Sequence, residues 1–508
     1  MGKEIEEIKE KNVSKSQKTF SQKIVQGGFW IFSLKIVRKI LSLIRLVIIG
    51  RILAPSDFGL MGIALLTMAA IETFSQTGYQ EALIQKKTEV LDYLNTVWTV
   101  LIFRGLFIFI IMYFSAPYVA YFFRTSDIQP IIQVLGFITF IQAFSNIGLI
   151  FFHKELEFNK IFIYHFLGTF ANFVFAVVAA IVLRSVWALV IGLFAEKIVS
   201  LIASYLIHPY RPRLDMNIKK AKELFGFGRW ILGSSVLVFI GEHIDDIFVG
   251  KVLNAKALGF YQMGYRISNM LETEISQVIS SVTFPGYAKI QDKQTRLQRT
   301  YFRIIKLIVT FSMPIAIGIV LLAPEFTVIF LGQKWVPMIP VMQLVAIAGF
   351  IKSIVSTGSP LFKGSGHPNY EFYMQLIRGI IIMFVIYPMI RMMGISGAAL
   401  GVVFSIMGMV AIWYHLSKKI IGASGYQYLN IFCPPLFGSL LMAGSIYIIK
   451  LYWNPIGLPL IFAIMEFVLI VLLSIIIYFG AMVFLKKYYS NYDLLGEFRF
   501  LYESLTKR

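Results

Sequence analysis

Four basic side chains share one apolar stretch near the start of the chain: Lys35, Arg38, Lys39 and Arg45. Steps of three, four and seven put Lys35, Arg38 and Arg45 on one helical face, with Ser42 between them and Lys39 adjoining. A cation at mid-bilayer costs several kcal/mol unless it meets water or a partner. Such a stripe suits a water-filled cavity, where it would neutralise a phosphate or diphosphate. The rival reading is that its lysines, Lys35 most readily, snorkel to the headgroups. A second polar run, Glu242, His243, Asp245 and Asp246, falls in the seventh apolar segment. Its groups suit coupling to a cation or proton, gating, or fixed salt bridges to the basic first helix. Arg266 and Arg378 lie in later apolar segments and are further candidate phosphate ligands. The spacing His243-x-x-Asp246 is too common to read as a metal pair, so neither a metal nor a cofactor is expected. Glu72, Arg104, Glu196, Glu272, Glu274, Lys352 and Glu466 complete the charges in apolar segments.

Other chemistries are missing from the sequence. It has no Gly-x-x-x-x-Gly-Lys-Ser/Thr phosphate loop, no His-Glu-x-x-His and no Gly-x-Ser-x-Gly elbow. No long outer segment is present to house a glycosyl-transfer site, so the chain is not expected to be an enzyme. The single cysteine, Cys433, excludes an intrachain disulfide and a cysteine-based metal site.

The elements that must position these side chains are membrane helices. Of 508 residues, 57% are hydrophobic and 15% charged, with a mean hydropathy of +0.74. Soluble domains carry roughly a quarter of their residues charged. The 47 Lys+Arg against 27 Asp+Glu give a formal charge of +20. In a soluble chain that surplus would suggest nucleic acid. In a membrane chain it reports topology first, and attraction to anionic lipid or substrate second, so nucleic acid is not an expected partner and membrane lipids are.

About 20 apolar residues cross a bilayer core. Hydropathy predicts spans near 27–52, 58–84, 91–116, 130–152, 160–183, 186–208, 226–250, 258–284, 303–323, 338–362, 370–391, 395–417, 431–452 and 457–485. The expectation is an all-α membrane protein of about fourteen transmembrane helices. Residues 1–23 and 486–508 read as cytoplasmic tails, the former not a signal peptide, and 209–225 as a cytoplasmic linker. With both termini cytoplasmic, twenty basic residues near span ends face that side against eight on the other. Trp30, Trp335 and Trp453 fall near span ends, where interfacial anchors belong.

The two halves repeat. Gly50-Arg-Ile-Leu53 with Phe58-Gly59 recurs 200 positions later as Gly250-Lys-Val-Leu253 with Leu258-Gly259. Pro130, Gln133, Phe140, Ile141, Gly148, Phe152 and Asn159 recur 210 positions later as Pro340, Gln343, Phe350, Ile351, Gly358, Phe362 and Asn369. The copies are six spans apart and so share one orientation, a parallel duplication of the transporter kind. This predicts two pseudo-symmetric six-helix lobes, 24–208 and 226–420, with two additional helices over 421–485.

The stretch Gly50-Arg-Ile-Leu-Ala-Pro-Ser-Asp-Phe-Gly-Leu60, then Phe74-Ser-Gln-Thr-Gly78 and Ala82-Leu-Ile84, resembles the polysaccharide transporter family. That family belongs to the multidrug/oligosaccharidyl-lipid/polysaccharide exporter superfamily, and the nearest likeness is to its colanic-acid and teichuronic-acid exporters. The resemblance implies a V-shaped pair of six-helix lobes in the cell membrane. It also implies movement of a lipid-linked (polyprenyl-diphosphate) oligosaccharide from the cytoplasmic to the outer leaflet, with glycan-assembly enzymes as candidate partners. Two rivals remain: a cation-coupled drug or solute exporter of the same superfamily, and a membrane glycan polymerase or ligase.

Overall fold

The computed structural model describes residues 30, 33–76, 78–79, 83, 90–155, 157–452 and 459–486. The side chains of 221–234, 236–237, 270–282, 284–285 and 486 are not described, so Glu272 and Glu274 lie outside the account, as do Trp453 and the stretches 1–23 and 487–508. Among the described residues the chain is helical throughout, with no strand.

The helices are α1 (33–52), α2 (Pro55–Phe74), α3 (Leu91–Phe123), α4 (Ile128–Ala143), α5 (Ile150–Lys154), α6 (Phe158–Leu183), α7 (Trp187–Ile207) and α8 (Ile218–Val252). They continue as α9 (Ala255–Ile290), α10 (Gln294–Phe326), α11 (Ile339–Val355), α12 (Gly358–Gly364), α13 (Asn369–Ile421), α14 (Gly425–Tyr452) and α15 (Leu460–Lys486). Among the described residues, nine helical stretches are long and apolar enough to cross a membrane, or ten if the bent pair α4–α5 is one span. The chain is therefore a multi-pass membrane protein. Fewer spans meet this criterion than the expected fourteen or so. The charged helices α1, α8 and α9 are not among those that meet it, and α13 is counted once although Gly394 (φ 59°, ψ −135°) breaks it into two helices.

Two compact units divide the chain, with the boundary between Phe239 and Ile240, inside α8. In the first unit, the turn 53–54 joins α1 to α2. Pro55 opens α2, where its missing N–H costs nothing. Asp57 accepts from Ala54 N at 2.9 Å and from Val186 N at 3.2 Å, so it caps α2 and ties that corner to the start of α7. The family-like motif around Pro55 is thus a built corner. Small residues let α6 and α7 close up: a Cβ on Gly192 would lie 2.5 Å from that of Ala176. Ile49 and Leu53 of α1 and its turn pack on the same alanine-rich face, with Ala176, Ala180 and Ala188.

The stretch 209–225 is extended only as far as Asn217 and helical from Ile218, shorter than the expected linker. It is strapped to the first unit. Buried Asn146 donates to Tyr210 O at 2.7 Å, Asn95 Oδ1 accepts from Tyr210 Oη at 2.8 Å and Arg213 N at 3.0 Å, and Thr99 Oγ1 accepts from Asp215 N at 3.0 Å. Burial of His208 pushes its imidazole below the usual range, and the Lys160 charge acts in the same sense.

In the second unit, α14 and α15 pack on α10. Tyr478 Oη donates to Thr310 O at 2.6 Å, and Lys450 pairs with Glu325 at 2.7 Å. Trp335, expected as an interfacial anchor, is instead fully buried and packs edge-on to Phe260 at 5.9 Å. Hydropathy alone does not separate a lipid-facing from a core tryptophan. Trp30 is partly exposed.

The repeat is visible as matching breaks. In the first unit, α4 and α5 meet at 69° across Phe144–Leu149, and α11 and α12 are interrupted at Ser356–Thr357 in the second. Gly148 and Gly358 occupy equivalent places at these breaks. A Cβ on the first would collide with the His208 ring, and one on the second would lie 2.9 Å from Trp413.

Candidate functional site

The basic face of α1 divides into side chains with different surroundings. Lys35 and Arg38 are exposed, whereas Lys39 and Arg45 are half-buried. Arg45 donates through Nη1 to Asn172 Oδ1, and Asn172 Nδ2 donates in turn to Glu196 Oε2 at 2.5 Å. Asn172 is 6% exposed. A carboxamide between guanidinium and carboxylate has its oxygen toward the cation and its NH2 toward the anion, so each charge is met by the right pole. Arg45 is therefore held by α6 and α7. Arg38 has no hydrogen-bond partner among the described residues, and its charge acts on His165 of α6. Of the expected stripe, Arg38 is the guanidinium best placed to meet an external anion.

Arg104 of α3 donates to Glu72 O at 2.9 Å, to Ser75 O at 2.8 Å and to Ser75 Oγ at 3.3 Å. These are the orphan carbonyls at the C-terminus of α2, where a cation also favours the helix dipole. This intramembrane arginine is a helix cap.

The acidic run of the second unit also has local partners. Asp245 is 5% exposed and accepts from Tyr261 Oη at 2.6 Å. It lies within electrostatic reach of Arg378, which is 9% exposed and whose Nε has no hydrogen-bond partner among the described residues. Asp246 is 3.6 Å from His243 Nδ1 and feels the charge of Arg266. Glu242 and Arg266 are exposed. The two arginines proposed as phosphate ligands thus fall beside the two aspartates proposed for coupling, α13 supplying one and α9 the other. Arg378 is too deeply set to meet a headgroup in this arrangement. No group of three or more His, Cys, Asp or Glu with metal-site geometry occurs among the described residues.

Sequence reasoning missed Asn172 and Tyr261, which are uncharged and so raise no alarm in an apolar helix. It named Glu196 without assigning it a partner.

A helical membrane chain with a duplicated core and ionised groups held inside each copy is the architecture of a two-lobe transporter. The match over residues 48–340 to the model described as "Polysaccharide biosynthesis protein" places this chain in that family. It is 25% identical over 491 residues to a membrane protein in the cps region of Klebsiella pneumoniae, spanning 95% of this chain and 98% of that one. It is 23% identical to the lipopolysaccharide biosynthesis protein WzxC of Escherichia coli (strain K12), covering 82% and 86% of the two chains. To the teichuronic acid biosynthesis protein TuaB of Bacillus subtilis (strain 168) it is 21% identical, covering 72% and 76%. Its fold is similar to that of the lipid II flippase MurJ in an inward closed conformation, with a TM-score of 0.71 at 13% identity over 91% of this chain and 99% of that one. It also matches an inward-facing multidrug-resistance MATE transporter, with a TM-score of 0.62 at 16% identity over 75% and 94%.

Proposed function

We propose that this protein moves a lipid-linked, polyprenyl-diphosphate oligosaccharide from the cytoplasmic to the outer leaflet by alternating access. The observation that carries the reading is Arg38: a guanidinium exposed on α1 with no hydrogen-bond partner among the described residues. Keeping a cation there is costly, and a diphosphate headgroup is the ligand whose charge would offset it. The polysaccharide family match, the names of the relatives and the MurJ-like fold favour a lipid-linked glycan over a drug as cargo. A net cationic helix face also repels cationic drugs.

The orientation belongs to the same proposal. Both termini are cytoplasmic and the protein resides in the cell membrane, which puts the strap 208–217, with Arg211 and Arg213, on the inner face. The lobes are 24–208 and 226–420, followed by two added helices. Asp245, Asp246, Glu242 and His243, with Arg266 and Arg378 beside them, form the coupling or gating cluster, and glycan-assembly enzymes supply the substrate. Nothing in this cycle makes or breaks a covalent bond.

The test uses purified protein in vesicles carrying a polyprenyl-diphosphate glycan on the inner leaflet. Movement should be read by arrival of the glycan at the outer leaflet. Failure to move it, together with efflux of a cationic dye, would replace this reading by the drug-exporter one.

A further inference from the structure

The first unit contains a cavity of about 370 Å³ among α2, α3, α4, α5 and α6, within the range of small-molecule sites. Its wall includes Glu72, Arg104, Gln142, Ser145, Tyr164 and His165. We infer that this cavity is a subsite for a neutral sugar ring, the one attached to the carrier diphosphate. The inference rests on the function proposed above and adds the part of the substrate that the first unit recognises.

Three observations point this way. The wall mixes donors, acceptors and ring edges: a carboxylate, a guanidinium, a carboxamide, hydroxyls and aromatic surface. Sugar hydroxyls both donate and accept, so they need both kinds of partner, and their C–H faces need apolar contact. Glu72 and Arg104 are of opposite sign, so the wall has little net charge to offer an acidic sugar. The Oγ of Ser145 is buried and makes no well-formed hydrogen bond among the described residues, with the Tyr164 side chain as its polar neighbour in the wall, although most buried hydroxyls find a full partner. Finally, His165 belongs to the wall and lies in the field of Arg38. The cation proposed for the diphosphate thus acts on the cavity wall, as the substrate's diphosphate adjoins its first sugar.

The duplication supplies an internal control. The equivalent break of the second unit, at Ser356–Thr357, is packed by Tyr301, Phe362, Trp413 and Tyr428 in one apolar cluster. At the 210-residue offset Ser145 becomes Val355, which is buried in that cluster. A polar cavity is therefore not a necessary consequence of the broken helix pair. Among the described residues, the position of Ser145 in the cavity wall is taken by an apolar side chain in the second copy.

The experiment measures binding of two probes to the full-length protein in nanodiscs, a polyprenyl diphosphate bearing one neutral hexose and the same lipid diphosphate without sugar, with a uronic acid-bearing form of the first as a comparison. The wild type should prefer the sugar-bearing probe. Gln142 is exposed within the fold, so Gln142→Leu should fold normally. It should lower affinity for the sugar-bearing probe roughly two- to tenfold, the worth of one neutral hydrogen bond, and leave the bare diphosphate unchanged. Arg38→Gln should weaken both probes alike. Equal wild-type affinity for the two probes, or an equal loss on both in Gln142→Leu, would overturn the subsite while leaving the flippase reading intact. Binding of neither probe would overturn both. A tighter fit to a uronic acid-bearing probe than to the hexose would overturn the assignment to a neutral sugar.

Discussion

Arg38 and Arg45 lie on one face of α1, yet Arg45 is bonded to Asn172 and Arg38 has no hydrogen-bond partner among the described residues, and a paired substitution tests the different work proposed for each. Arg38→Gln removes a guanidinium with no hydrogen-bond partner among the described residues, so unfolding temperature in detergent should be unchanged. If Arg38 contacts the diphosphate, the loss is that of a charge-assisted hydrogen bond, about 1.5–3 kcal/mol. That is roughly a ten- to hundredfold weakening of substrate binding. Arg38→Lys should recover part of it, because charge is kept while the planar fork is lost. Arg45→Leu does something else. It takes the donor from Asn172 Oδ1 and leaves Glu196 without the cation that Asn172 relays. An unsatisfied buried acceptor costs about 1–3 kcal/mol, so this variant should unfold at lower temperature and lose transport in proportion to folded protein. The assays are thermal unfolding of the solubilised protein and accumulation of lipid-linked glycan in the inner leaflet of cells expressing each variant. Equal transport loss in both variants at unchanged unfolding temperature would refute the division. So would normal export by Arg38→Gln.

Tyr261→Phe removes the hydroxyl that donates to buried Asp245 at 2.6 Å, and should destabilise the second unit by about 1.5–3 kcal/mol, read by denaturation, with Asp245→Asn adding little on top because both changes cut the same contact. Gly358→Ala places a methyl 2.9 Å from Trp413 and Phe362, so it should cost about 1–3 kcal/mol of stability by overpacking, whereas alanine at Gly318, where a Cβ meets nothing within 4 Å, should be tolerated. The strap should loosen in acid: the His208 imidazole is held below its usual range, so the folded state binds fewer protons there than the unfolded one, and this contribution is present at neutral pH and lost as pH falls below about 6.5. Protease cutting within 209–217 should rise in that window, and a flat cutting rate from pH 7.5 to 5 would count against it.

The sequence made the membrane class legible because apolar length is a direct physical requirement of the bilayer. The duplication was legible for another reason: Pro, Gln, Gly and Asn are rare enough in apolar helices for a shared offset to stand out. The face of α1 followed from residue spacing alone. What that face does was only half visible, since helical spacing says which side chains are neighbours on one helix and nothing about what another helix brings to them. Arg45 meets Asn172 across a long loop of chain. An asparagine among alanines and valines looks like a tolerated polar residue until its two partners are known. The break between α4 and α5 was hidden for a similar reason: hydropathy runs on across Phe144–Leu149, so a bent pair reads as one span.

The two copies share a backbone plan and have diverged in what fills it, and that divergence bears on how the transporter could work. At the break of the first copy, Asn146 spends its side chain on the strap carbonyls and on Gly148 N, which holds the bend open around polar side chains. At the break of the second, Thr357 bonds Tyr301 at 3.0 Å beside an aromatic cluster. Ion pairing is divided the other way. In the second copy, Asp245 lies within electrostatic reach of Arg378, and Asp246 of Arg266. In the first copy, one carboxamide joins one arginine to one carboxylate and leaves Arg38 outside. A substrate-binding unit needs an accessible cation and a polar recess, and a switching unit needs charges that have more than one satisfactory arrangement. Under the function proposed above, the exposed cation and polar recess of the first copy would serve recognition and the acids and arginines of the second would serve switching, a division that the Arg38 and Tyr261 substitutions test.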